Sequence, residues 1–244
     1  METRRSRNPA TPLARQVLGA AGASLLPVSV DDDRLRVDRA THRRGGTAPS
    51  GLCTPLHQYP LGSRLSLPRR TALLKWARSN DALILEDDYD GEFRFETTPL
   101  PALASLGQDF TVYLGTFSKT ITPSLRVGFI VTPPALRDRL VRVKTLSDYH
   151  TVLQVQMALA QFIQEGHFER HIRRMRRVYA AKRALLLDSL EPIRNLSPLK
   201  GLEAGLHATS SFRTMLMRAA WPNAQGRSAW GSAHSRPTTA GNLL

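Results

Sequence analysis

The chain has 244 residues, 41% of them hydrophobic, and a formal net charge of +14 from 34 Lys and Arg against 20 Asp and Glu. Its single cysteine, Cys53, excludes a disulfide framework or a cysteine-rich zinc site within one chain. No apolar run approaches the roughly 18 residues of a membrane span, and the basic N-terminus is not followed by the apolar stretch of a signal peptide, so a cytoplasmic protein is expected.

The basic surplus suits an anionic partner, nucleic acid included. It is unevenly spread: Arg137 to Arg183 holds eleven basic and four acidic residues, and no Asp or Glu follows Glu203.

Along the chain, residues 1–19 read as irregular. Leu25 to Val30 is a candidate short strand that runs into the acidic turn Asp31-Asp32-Asp33, and residues 39–51 read as loop. Pro68 marks a helix start, with Leu67, Leu73, Leu74 and Trp76 as apolar contacts over about three turns. Three short apolar runs follow. Ala82 to Leu85 ends in Glu86-Asp87-Asp88-Tyr89-Asp90, and Thr111 to Leu114 ends in Gly115-Thr-Phe-Ser-Lys119. The third, Val127 to Val131, is closed by Pro133-Pro134. Continuous apolar runs of this length suit strands buried on both faces. Two helices are expected next, Val152 to Gln164 and about Phe168 to Leu190. In the second, Phe168, Ile172, Met175 and Tyr179 lie at helical spacing and Arg170, Arg173, Arg174, Arg177 and Lys182 lie opposite them. Pro192 ends it. Residues 208–244 have neither period and read as a disordered tail. This alternation predicts an α/β fold.

In an open parallel sheet, ligands bind outside the carboxyl ends of the strands. Two polar clusters sit at such ends here, one around Asp87 and one around Lys119. Together they offer a carboxylate, a phenol, hydroxyls, an amine and a guanidinium. Pyridoxal phosphate needs these parts: a lysine for its aldehyde, an acid by its ring nitrogen, a phenol by its ring hydroxyl, and hydroxyls and an arginine for its phosphate. Asp87, Tyr89, Ser118, Lys119 and Arg126 supply them in order. Each also has a plainer reading: Lys119 as a solvated loop residue, Asp87 or Asp88 as a turn cap, Tyr89 as core, Arg126 as one half of an ion pair. His57 reads as structural and Cys53 as inert.

The stretches Thr54-Pro-Leu-His-Gln-Tyr-Pro-Leu-Gly62, Leu85-Glu-Asp-Asp-Tyr-Asp-Gly-Glu-Phe93 and Gly115-Thr-Phe-Ser-Lys-Thr-Ile-Thr-Pro-Ser-Leu-Arg-Val-Gly128 resemble fold-type-I, class I/II aminotransferases. More narrowly they resemble the aminotransferase-like domain of MocR-type regulators, a branch of the GntR transcription factors. The resemblance implies a fold-type-I major domain, a mostly parallel sheet flanked by helices. It implies that Lys119 forms an imine with pyridoxal 5'-phosphate, that Asp87 pairs with the ring nitrogen and that Tyr89 reaches the ring hydroxyl. Thr116, Ser118 and Arg126 would lie near the phosphate. Tyr59 stands before Pro60-Leu61-Gly62 where aminotransferases often have Asn, so that contact is not carried over.

The resemblance spans residues 20–207 and implies a partial large domain over 20–190 and the start of a small C-terminal domain over 191–207. No winged helix-turn-helix module, glycine-rich phosphate turn or ring-stacking aromatic is recognisable in residues 1–19. The expectation is a domain truncated at both ends, with the change of composition after His207 resembling a shift of reading frame. The expected function is sensing of an amino acid or other small amine through Lys119, impaired by truncation. The intact protein would be a homodimer that reaches DNA only through the missing module. The alternatives are an aminotransferase working between an amino acid and a 2-oxo acid, a non-functional remnant, and a non-specific nucleic-acid binder.

Overall fold

A computed structural model of the chain describes residues 12–28, 30–31, 34–37, 50–59, 62, 64–95, 100–193, 199–201 and 204–210. The expected tail therefore lies outside the described residues from 211 onward, as does the expected loop over residues 39–51 up to residue 49; its last two residues, Ser50 and Gly51, begin a strand instead.

The centre is a four-stranded sheet in the order β3 (Ser50–Cys53), β4 (Leu83–Asp88), β5 (Thr111–Thr116) and β6 (Gly128–Val131). The first two pairings are parallel and the last is antiparallel, which makes the sheet mixed with an antiparallel edge. β4 and β5 emerge where continuous apolar runs place them. β3 carries no such run: Ser-Gly-Leu-Cys becomes a strand because β4 offers it a parallel partner over four residue pairs. β6 departs from expectation in another way. All four of its residues are exposed, since it forms the sheet edge rather than a doubly covered strand.

α2 (Leu67–Ser79) starts at the expected proline. Asn80 ends it, bonding the Trp76 carbonyl through its side chain at 2.8 Å, and Asp81 then takes a left-handed turn (φ 48°) that sends the chain into β4. Leu73 and Ala77 of α2 pack with Val37, Leu65, Ala82, Ile84 and Leu103 in the main apolar core. Full burial of a side chain such as Leu73 or Ile84 contributes roughly 2 kcal/mol.

Three helices follow: α4 (Pro134–Asp148), α5 (Leu153–Gln164) and α6 (His167–Leu190), with the short α3 (Leu103–Leu106) before β5. α5 and α6 match expectation within a residue or two. α4 has no counterpart in the sequence reading, because its apolar residues Leu136, Leu140, Val141 and Val143 are interleaved with four basic ones and none of its residues is buried. α6 docks through the stripe read from its spacing: Ile172 is buried, Phe168 meets Phe117 edge-on at 5.8 Å, and Tyr179 meets Phe93 at 5.1 Å. Its Arg170, Arg173, Arg174, Arg177 and Lys182 are exposed.

At the N-terminal end, Pro12–Ala20 forms a helix (α1), correcting the expectation of irregular chain over residues 1–19. Leu13, Val17 and Leu18 supply apolar side chains along it. The candidate strand Leu25 to Val30 shrinks to β1 (Val30–Asp31), which pairs with β2 (Arg34–Leu35). Two further short strands pair antiparallel: β7 (Leu199–Lys200), in the segment read as the start of a smaller domain, and β8 (Thr209–Ser210), which corrects the expectation of a disordered tail at those two residues.

One polar side chain holds the core's edge. Arg70 of α2 is fully buried, and its guanidinium donates to the carbonyls of Leu65 (3.0 Å), Pro101 (2.7 Å) and Pro55 (3.0 Å). Burial lowers its pKa from the usual arginine value, and Glu86 opposes that most. Removing it takes a donor from three carbonyls at once, of which Pro55 keeps the Leu65 N–H at 2.8 Å. Arg70→Ala is expected to lower unfolding stability by roughly 3–5 kcal/mol in urea denaturation, and Arg70→Lys to recover only part of that loss, because an ammonium cannot span a three-way fork.

Candidate functional site

The site grows from the register of β4 and β5. Asp87 lies opposite Leu114 and Asp88 opposite Gly115, so both strands end on the same side. Side chains alternate along each strand. Ile84, Glu86 and Asp88 share the face toward α2, and Asp87 lies on the other face with Leu114 and, two residues on, Thr116. The turn Phe117 to Thr120 follows β5 directly. It is closed by Ser118 N–H donating to Thr116 Oγ1 (3.1 Å) and Ile121 N–H to the Phe117 carbonyl (3.0 Å). α6 braces it from behind, His171 Nε2 donating to the Thr120 carbonyl at 2.8 Å. The antiparallel return along β6 brings Val127 back beside Phe117 (3.1 Å). Arg126, left-handed at φ 50° and ψ 38°, thus stands next to the same turn.

The topology therefore gathers Asp87, Tyr89, Thr116, Ser118, Lys119 and Arg126 at one end of the sheet. Asp87, Tyr89, Thr116 and Ser118 are half-buried, whereas Lys119 and Arg126 are exposed. In the single chain the site is therefore an open face. The small cavity nearby is lined by His57, Arg64, Asp90, Arg94 and Gly205 among others, and by none of these six residues.

Four acids crowd the end of β4, and their partners separate them. Glu86 is fully buried and accepts from the backbone N–H groups of Leu103 and Ala104 (2.9 Å each) at the start of α3. Burial raises its pKa, against those two donors and Arg70. Asp88 accepts from the Tyr113 hydroxyl (2.7 Å) and Gly91 N–H (2.9 Å). Asp90 is buried and accepts from His57 Nδ1 (2.9 Å) and Leu206 N–H (3.0 Å). Asp87 alone receives no hydrogen bond among the described residues. Burial first, then Asp88 and Asp90, push it up to about 6. The Tyr89 phenol is also pushed up, chiefly by burial and then by Asp90, and it donates to the His57 carbonyl at 2.7 Å. The Cys53 thiol is pushed up by burial and by Glu86, which keeps it protonated and unreactive.

This donor set fits pyridoxal phosphate. A half-buried carboxylate without a donor is suited to a cationic ring N–H. The Lys119 amine and the Arg126 guanidinium have no hydrogen bond or ion pair among the described residues, and the Thr116 hydroxyl can still donate its own proton. Arg70, Tyr113 and Asp90 escaped the sequence reading as supports of the site, whereas His57, read as structural, is buried and bonded as such. An acid every one or two residues after a strand is the one signal that could have pointed to such supports.

Residues 34–221 match the family model Aminotransferase class I and II. Over 231 residues the chain is 38% identical to the probable rhizopine catabolism regulatory protein MocR of Rhizobium meliloti, covering 91% of this chain and 45% of that protein. It is 35% identical over 201 residues to the HTH-type pyridoxine biosynthesis transcriptional regulator PdxR of Corynebacterium glutamicum, covering 82% and 43%. Among solved structures, the α-aminoadipate aminotransferase LysN of Thermus thermophilus, complexed with N-(5'-phosphopyridoxyl)-L-leucine, superposes with a TM-score of 0.75 at 27% identity, over 85% of this chain and 55% of that one. The chain thus spans less than half the length of these regulators and about half that of the enzyme.

Asp87 is expected to be costly to the empty protein. Its folded pKa lies above the ordinary carboxylate value, so the folded state holds more protons than the unfolded one between pH 4 and 6. Stability then falls as pH rises through that window, by up to about 3 kcal/mol. Asp87→Asn should raise the thermal midpoint at pH 8 and leave it unchanged below about pH 4, as followed by circular dichroism across pH.

Proposed function

The chain belongs to the aminotransferase class I and II family, and on that premise we propose that it is a pyridoxal-phosphate-binding, aminotransferase-like domain of a transcriptional regulator that senses an amino compound at Lys119. The observation that carries this reading is Asp87, a half-buried acid without a donor, one strand away from the Thr116–Lys119 turn. The similarity to MocR and PdxR supports the regulatory role.

When bound, the cofactor supplies an aldehyde that captures primary amines and a ring that withdraws electrons. The Lys119 amine would hold it covalently. The Asp87 carboxylate would face the ring nitrogen and keep a proton there. Tyr89 would reach the ring hydroxyl, and Thr116, Ser118 and Arg126 would surround the phosphate, Arg126 by charge-assisted bonds. A small amine or amino acid taking the place of Lys119 would leave that side chain free to move, and that movement would be the signal. DNA recognition belongs, on this reading, to a helix-turn-helix module of the regulator.

A homodimer accompanies this reading. Ile130 and Val131 of β6, Val141 and Leu146 of α4, Tyr149, and Leu153 and Met157 of α5 are all exposed. So much apolar surface on neighbouring elements fits a covered face. No helix among the described residues is long and apolar enough to cross a membrane.

The second reading is an aminotransferase, favoured by the unpartnered Lys119 amine, which could shuttle a proton as well as hold the cofactor, and by the likeness to LysN.

Adding excess pyridoxal phosphate to the purified chain should produce a visible absorbance band distinct from that of free cofactor. Lys119→Ala should abolish it, and Lys144→Ala, on exposed α4, should not. Absence of the band from the unaltered chain would refute the proposal. Release of a 2-oxo acid in step with loss of the band, on adding an amino acid, would move the assignment to the enzyme.

A further inference from the structure

The Tyr89 phenol has one proton, and it is already committed. It goes to the His57 carbonyl at 2.7 Å. The position of that carbonyl is set by the rest of His57. The His57 ring is buried, with Nδ1 at 2.9 Å from Asp90 Oδ2 and Nε2 at 3.3 Å from the Gly201 carbonyl. Asp90 in turn accepts from Leu206 N–H at 3.0 Å, and Gly205 N–H bonds the Phe93 carbonyl at 2.6 Å. The packing leaves little slack. Gly205 (φ +75°) lies so close that a Cβ there would run into His57 Nδ1, and the backbones of Gly62 and Gly201 touch. His207 packs on the same group, its ring 4.1 Å from that of His57 and 6.4 Å, nearly parallel, from that of Tyr89.

The donor atoms of His57, Asp90 and His207 lie within 4.8 Å of one another, a spacing that would also suit a cation. However, both His57 ring nitrogens face acceptor oxygens. Each ring nitrogen is thus already engaged within the protein. The cluster is a latch.

We infer that His57 is a positioning residue that joins the Tyr89 phenol and the chain around Gly201 and Leu206 into one mechanical unit, so that a ligand oxygen drawing the Tyr89 proton away from the His57 carbonyl loosens that later chain. The link spans a large sequence distance: Leu206 lies 116 positions after Asp90, and Gly201 lies 144 after His57. Occupancy of the sheet end is thereby reported at the segment that leads out of the large domain. The ligand half of this inference rests on the proposed function; the latch stands on the hydrogen bonds alone.

Backbone amide hydrogen exchange on the full chain tests both halves. Tyr89→Phe keeps the ring against His207 and deletes only the hydroxyl, so it should fold. It is expected to speed exchange at Leu206 and Gly205 about five-fold, the effect of one net hydrogen bond, and to leave Ile84 in β4 unchanged. Exchange at Leu206 within two-fold of the unaltered protein would overturn the latch. Pyridoxal phosphate added to the unaltered chain should speed the same amides. If the absorbance band forms and those amides do not change, the ligand half is wrong. If no band forms, the proposed function has failed, and the Tyr89→Phe result still decides the latch.

Discussion

Everything at the candidate site depends on the parallel pairing of β4 with β5. A parallel pair ends both strands on one side, whatever length of chain separates them. Ile84 to Asp88 pair with Thr111 to Gly115, and this alone brings an acid-rich turn beside a lysine-bearing one. Two buried groups keep the pair in place. Arg70 draws three carbonyls from three segments onto α2, and Glu86, in the strand itself, ties β4 to the start of α3. Neither group touches the site. Both fix where its parts stand.

The crowding of acids at the end of β4 is the second theme. Four carboxylates within five residues would repel one another, and the fold resolves this by giving three of them donors from elsewhere. Glu86 receives backbone N–H groups, Asp88 a phenol and a turn N–H, and Asp90 an imidazole and a backbone N–H. Asp87 is left over, and it is the one on the face of Thr116. The absence of a donor at Asp87 among the described residues is the observation on which its proposed role toward a ligand rests.

Much of the architecture was legible in the sequence. Buried strands declare themselves by apolar runs, hence β4 and β5, and α6 declares its docking face through Phe168, Ile172, Met175 and Tyr179. α4 was not legible, because an exposed helix of alternating basic and apolar residues has no core-facing stripe to mark it. β3 was not legible because four small or mixed residues become a strand only when β4 supplies the partner. The exposure of β6 and the open site were hidden for a related reason: an apolar run states that a strand wants cover, not which chain provides it.

The sequence by itself determined the chemistry on offer: an acid, a phenol, hydroxyls, an amine and a guanidinium in a set order behind strand-forming runs, and through three motifs the family. Local pattern suffices for that, since residue identity and strand period are local properties. Only the tertiary structure decided which acid has no donor among the described residues and what the His57 ring holds. The donors that sort the acids come from 17, 25 and 116 positions along the chain, and no local pattern encodes contacts at such range.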